Sequence, residues 1–155
     1  MMDKNEIIIR CIGTILVMFL TQFSIFSQNR TIQGVVIDNL DHEPVPYVSI
    51  LFNDSIQIGM TNLDGSFQIE VPYTVNRLVM GRAIGFEDTE IVLCENCNYL
   101  EIILFQRPIY DFLSKKQADN KRKKRFKKIG KIRKEAVRRG IFQSKNPCYK
   151  QVFIP

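Results

Sequence analysis

Histidine occurs once, at position 42, and that scarcity removes most catalytic constellations, since no Ser-His-Asp or Cys-His arrangement exists without one. His42 stands in an acidic turn, Asp41-His42-Glu43, and reads as an exposed loop residue. A zinc hydrolase draws on several histidine and carboxylate ligands, so a lone histidine argues against that chemistry too. Long apolar runs are also missing beyond Phe26, which leaves no second hydrophobic segment able to cross a membrane. Helical periodicity is absent from Thr31 to Phe105, and acid is nearly absent from the C-terminal part.

The acids that are present lie elsewhere. Residues 28–114 hold four basic and twelve acidic groups, a net −8, whereas residues 115–155 hold sixteen basic groups against Asp119 and Glu135, a net +14. An acidic body thus precedes a basic tail. Ahead of both, residues 1–27 read as a signal peptide: Lys4 and Arg10 in a polar start, an apolar stretch from Cys11 to Phe26, and Ser27 at a plausible cleavage position. The expected organisation is a leader over 1–27, a β-domain over 28–107 and a basic extension over 108–155, with the protein exported to the periplasm, associated with the outer membrane or secreted.

Between Thr31 and Leu104 the chain alternates short strand patterns with turn residues. "TIQGVVID", "PYVSILFN", "SIQIGMT", "SFQIEV", "RLVMGRAI", "EDTEIVL" and "NYLEIIL" give seven strands. The prolines of Glu43-Pro44-Val45-Pro46 place the second on a sheet edge, because proline donates nothing to a ladder. Alternation assigns Val35, Ile37, Val48, Ile50, Phe67, Ile69, Leu78, Met80 and Ile91 to the core. Such spacing predicts an all-β antiparallel sandwich of two small sheets.

The stretch "TNLDGSFQIEV", Thr61 to Val71, offers oxygen ligands at Asn62 and Asp64, with Asp54 not far off in sequence. An EF-hand-type loop needs oxygens at fixed positions over twelve residues and a closing glutamate, and these are lacking. Asp64-Gly65 is instead a strong hairpin signal, with Gly65 supplying positive φ. No metal and no cofactor are expected.

"IQGVVID" (Ile32 to Asp38), "EPVPYVSI" (Glu43 to Ile50), "TNLDGSFQI" (Thr61 to Ile69) and "LVMGRAIGFE" (Leu78 to Glu87), in this order and spacing, resemble the carboxypeptidase regulatory-like domains of Bacteroidetes-type exported proteins. The resemblance spans roughly residues 30–106. It implies a seven-stranded Greek-key, transthyretin-like (prealbumin-like) sandwich that serves as an accessory module and not as an enzyme. The basic tail is no part of the family's core pattern, so the resemblance assigns it no role.

Export permits disulfides, and after Ser27 three cysteines remain: Cys94, Cys97 and Cys148. Cys94 and Cys97 flank an expected two-residue turn, where paired Cα atoms stand about 5.5 Å apart, so a turn-stapling Cys94–Cys97 bridge is the favoured reading. Free thiols, a redox or zinc role, and a bridge from Cys148 to either cysteine stay open. In the tail, Phe126, Ile129, Ile132, Ala136 and Val137 recur near helical period and Gly140 fits a helix C-terminus. The candidate contacts for an anionic partner are Lys121, Arg122, Lys123, Lys124, Arg125, Lys127, Lys128, Lys131, Arg133 and Lys134. That partner is expected to be an envelope protein, a lipid or lipopolysaccharide surface, or the acidic body of the same or a neighbouring copy. Nucleic acid is the least natural partner for an exported chain, and the tail's aromatics are spread too thinly to stack bases. The expected function is a non-catalytic binding or scaffolding module of the cell envelope, with a membrane-surface tether through the tail as the alternative.

Overall fold

A computed structural model describes residues 29–155, so the leader over 1–27 lies outside the described residues. All seven strand patterns form strands: β1 (Asn29–Asp38), β2 (Ser49–Phe52), β3 (Ile56–Met60), β4 (Ser66–Pro72), β5 (Arg77–Gly81), β6 (Thr89–Leu93) and β7 (Tyr99–Leu104). The tail adds two helices, α1 (Lys115–Phe126) and α2 (Ile129–Arg138), and an eighth strand, β8 (Tyr149–Phe153). They build two sheets, of order β4-β1-β7 and β3-β2-β5-β6-β8. The wholly antiparallel expectation fails at one place. β1 and β7 run parallel, from Gln33 opposite Tyr99 to Asp38 opposite Leu104.

β2 is not at an edge, as its prolines suggested, but lies between β3 and β5. Pro44 and Pro46 fall before the strand begins at Ser49, so no ladder bond is lost to them. The Asp64-Gly65 turn joins strands of different sheets and is therefore a crossing between layers, not a hairpin of one ladder. It is closed locally by Asn62 N–H to Ser66 C=O at 2.8 Å and Gly65 N–H to Asn62 C=O at 3.0 Å. Gly65 has φ 72°, and a Cβ there would meet the Val36 carbonyl oxygen at 2.5 Å, so backbone freedom and close approach both require glycine.

The interior between the sheets takes Ile32, Val36, Val48, Ile50, Phe67, Ile69, Leu78, Met80, Ile91, Leu100, Ile102 and Leu104. Val35 and Ile37 are not among them, contrary to the alternation reading. On β1 the inward set is Ile32, Gly34 and Val36, and Gly34 makes room for the Phe67 ring, whose atoms would lie 2.7 Å from a Cβ. Val35 and Ile37 face the other way, into a second cluster with Ile103, Phe105, Ala136 and Phe142, flanked by Phe126, Ile129, Ile132 and Val137. The helices therefore roof the outer face of β1 and β7. This accounts for two kinds of strand pattern: β4, unroofed, alternates buried and exposed, whereas β7 is buried on both faces from Leu100 to Leu104.

α1 begins with a capping box in which Ser114 and Gln117 exchange side-chain-to-backbone hydrogen bonds. Gly140, with φ 76°, ends α2. Among the described residues no helix is long and apolar enough to cross a membrane.

Candidate binding surface

The tail is joined to the body along the open edge of β7. Even-numbered β7 residues bond to β1, which leaves the backbone groups of Glu101 and Ile103 pointing outward, an edge that invites unwanted pairing unless it is covered. Tail side chains cover it. The Glu101 carbonyl accepts from Tyr149 Oη and from Arg133 Nη2, and the Ile103 carbonyl accepts from Gln151 Nε2 at 2.6 Å. β8 meanwhile pairs with β6 in the opposite sheet, Leu93 opposite Tyr149 through Thr89 opposite Phe153. One strand thus closes a seam between the two layers.

Arg133 and Glu101 form a buried ion pair, Nη1 to Oε2 at 3.4 Å, with side chains 5% and 6% exposed. The Glu101 carboxylate also accepts from the backbone N–H groups of Gln143 and Ser144, and the guanidinium lies over Phe142 and Tyr149. Burial pushes the Tyr149 hydroxyl up to about 12, with the Arg133 charge opposing the shift and Glu101 adding to it. The phenol therefore remains a donor at neutral pH. Sequence reading missed this network. Its one signal was Glu101 itself, an acid inside the otherwise apolar run "LEIIL".

The ten candidate contacts separate by residue type. Arg122, Arg125 and Arg133 face the body: Arg122 Nε and Arg125 Nη1 lie 3.1 and 3.7 Å from the nearly buried Glu87 carboxylate, over the rings of Phe153 and Phe105 respectively. Phe126 packs between the same two rings. Lys121, Lys123, Lys124, Lys127, Lys128, Lys131 and Lys134 are all exposed. None has an ion-pair partner among the described residues; Lys121 alone has an aromatic neighbour, its Nζ 5.6 Å from the Tyr110 ring. The chemistry explains the division. A guanidinium is weakly hydrated, forks onto carboxylates and stacks on rings, whereas an ammonium is strongly hydrated and favours solvent. Three arginines tie the tail to the acidic body, and seven lysines remain as a basic outer face.

The cysteines overturn the expected Cys94–Cys97 staple. Cys97 is bridged to Cys148, with Cα atoms 5.4 Å apart, and Cys94 is a free, exposed thiol. Residues 94–97 do form a turn, with Cys97 N–H donating to the Cys94 carbonyl at 3.3 Å and Asn96 at φ 62°. Cys97, however, turns fully into the interior, where the start of β8 delivers Cys148. Because Cys97 is buried and bonded, the CxxC pair is no accessible dithiol in this form.

His42 is buried, not exposed, and neither ring nitrogen has a hydrogen-bond partner among the described residues. Its turn is built by Asp38, whose Oδ1 accepts from the N–H groups of Asp41, His42 and Glu43. Asp64, the other ligand candidate, spends its carboxylate on its own turn, accepting from Ser66 Oγ at 2.6 Å and Ser66 N–H at 3.0 Å. Those bonds hold its carboxyl below the usual range. Among the described residues no group of three or more His, Cys, Asp or Glu side chains is placed to share a metal ion. A cleft of about 320 Å³ beside the β2–β3 turn holds Asp54 as its one carboxylate and neither histidine nor cysteine. No family model matches the chain, and no curated protein matches it.

Proposed function

We propose that this protein is a non-catalytic, exported binding or scaffolding module of the cell envelope that engages an anionic partner through the lysine face of α1 and α2. A regulatory-like domain of Greek-key, transthyretin-like affiliation belongs to this reading, and the motifs from Ile32 to Glu87 support it. The observation that carries the proposal is the division of the ten candidate cations: the three arginines face the body, matched to Glu87 and Glu101, and the seven lysines face outward with no ion-pair partner among the described residues, while the exposed Arg138 and Arg139 pair with Glu135 on their own helix. Exposed like charges packed along one helical segment repel one another, and an anionic surface relieves that repulsion.

Truncation at Ser114 is a poor test, because it removes β8, the Cys97–Cys148 bridge and the roof over β1 and β7. A better test replaces the seven outward lysines by glutamine in the whole chain. The variant is expected to keep its circular dichroism and to lose partners trapped by crosslinking in isolated envelopes. Raised salt, which shortens the screening length below about 8 Å, is expected to release the same partners from the parent. Undiminished crosslinking by a folded variant refutes the reading.

A further inference from the structure

The β7–α1 connection, residues 107–114, presents apolar side chains that nothing in the described chain covers. Ile109 is 86% exposed and Phe112 is fully exposed. Phe112 also has φ 66°, a backbone conformation that bulky residues avoid, so its outward position is maintained against a local cost. The connection is built and not slack. Arg107 N–H donates to the Gly85 carbonyl at 2.6 Å at its root, the Tyr110 ring lies 5.6 Å from Lys121 Nζ, and the Ser114–Gln117 capping box closes its far end. Around it Arg107, Lys115, Lys116 and Lys121 are exposed and have no ion-pair partner among the described residues, while Asp111 is the one carboxylate within the connection.

We propose that this connection contacts an anionic phospholipid bilayer, with Ile109 and Phe112 entering the acyl boundary while Arg107, Lys115, Lys116 and Lys121 meet headgroup phosphates. The inference rests on the reading that the tail's partner is anionic, and it names that partner as lipid. Two features favour a bilayer over a protein surface. The two apolar side chains stand out singly from the connection, 86% and fully exposed, which a fluid acyl boundary accommodates without a shaped pocket, whereas a protein partner must supply one. An aromatic ring flanked by cations is also the arrangement that suits the headgroup level, where apolar burial and phosphate attraction act together and neither alone anchors stably. The lysine face of α1, beginning at Lys121, continues the positive surface away from the loop.

The chain has no tryptophan, so one placed at position 112 reports on that position alone. Phe112→Trp in the whole chain, mixed with vesicles of phosphatidylglycerol and phosphatidylcholine, is expected to shift its emission to the blue and to be quenched by lipids brominated along their chains. Pure phosphatidylcholine vesicles should produce neither effect. Leu63→Trp, at another exposed turn, 73% exposed and flanked by Asn62 and Asp64, is the control and should stay unshifted. Ile109→Ser combined with Phe112→Ser should weaken binding to anionic vesicles by roughly a hundredfold or more, the effect of withdrawing two such side chains from an apolar medium. An unshifted Phe112→Trp, an equal shift at Leu63→Trp, or a Phe112→Trp that responds only to lipopolysaccharide or an acidic protein overturns the proposal. If the seven-lysine variant loses its envelope partners while Phe112→Trp is silent toward vesicles, the lysine-face reading stands and the lipid contact falls. The opposite pair of results keeps the loop and removes the lysine face.

Discussion

Replacing Arg133 by methionine isolates what holds the tail to the sandwich. Methionine keeps an unbranched stem beneath Phe142 and Tyr149 but removes the one ion-pair partner that Glu101 has among the described residues, and the Glu101 side chain is 6% exposed. The carboxylate would retain the backbone N–H groups of Gln143 and Ser144, and the Glu101 carbonyl would retain the Tyr149 hydroxyl. Breaking one partner of a buried pair costs about 3–5 kcal/mol, and the retained donors place this case near 3 kcal/mol. Against a total stability of about 5–15 kcal/mol that is a large share, equivalent to a fall in Tm of roughly 10 °C. Urea titration followed by far-ultraviolet circular dichroism measures it. Adding Glu101→Leu to Arg133→Met removes the stranded charge, so the double variant should cost at least about 1 kcal/mol less than the sum of the singles. A loss below about 1 kcal/mol in Arg133→Met, or strict additivity, refutes the claim that this pair is buried and coupled.

The elevated Tyr149 hydroxyl predicts an alkaline limb. Its folded pKa of about 12 stands above the unfolded value of about 10, so its stabilising contribution is intact below pH 10 and is lost between about pH 10 and 12, about 2–3 kcal/mol in all. Tyr149→Phe should flatten the slope of stability in that window, and an unchanged slope counts against the burial assigned to it. Alkylation of the unreduced chain should modify Cys94 and leave Cys97 and Cys148 untouched, and peptide mapping should recover a Cys97–Cys148 linkage; a Cys94–Cys97 peptide contradicts the fold at β8. Cys148→Ser opens a 51-residue separation and should cost up to about 4 kcal/mol by the chain-entropy argument. Phe67→Ala should cost about 3–5 kcal/mol, and Gly34→Ala should also destabilise because its Cβ meets the Leu100 carbonyl at 2.2 Å; tolerance of Gly34→Ala in thermal unfolding means β1 presents its other face to the sandwich.

Local chemistry was sufficient for the elements themselves. The seven strand patterns, the positive φ of the turn at Gly65, the helix end at Gly140 and the division into an acidic body and a basic tail all rest on residues near in sequence, and each is legible there. Three matters were decided only by tertiary packing. Period-two alternation distinguishes the two faces of β1 but cannot say which faces the other sheet when both carry apolar residues; Val35 and Ile37 fit the inward set by alternation alone, and only the helices that roof them place them on the outer face. The partner of Cys97 follows from the β6–β8 register, a long-range pairing, whereas the nearer Cys94 satisfies the same distance criterion on paper. The sorting of the tail's cations required Glu87 and Glu101 to be in place, since a guanidinium and an ammonium carry the same charge in sequence and part company only where one must be desolvated against a buried carboxylate and the other left in water.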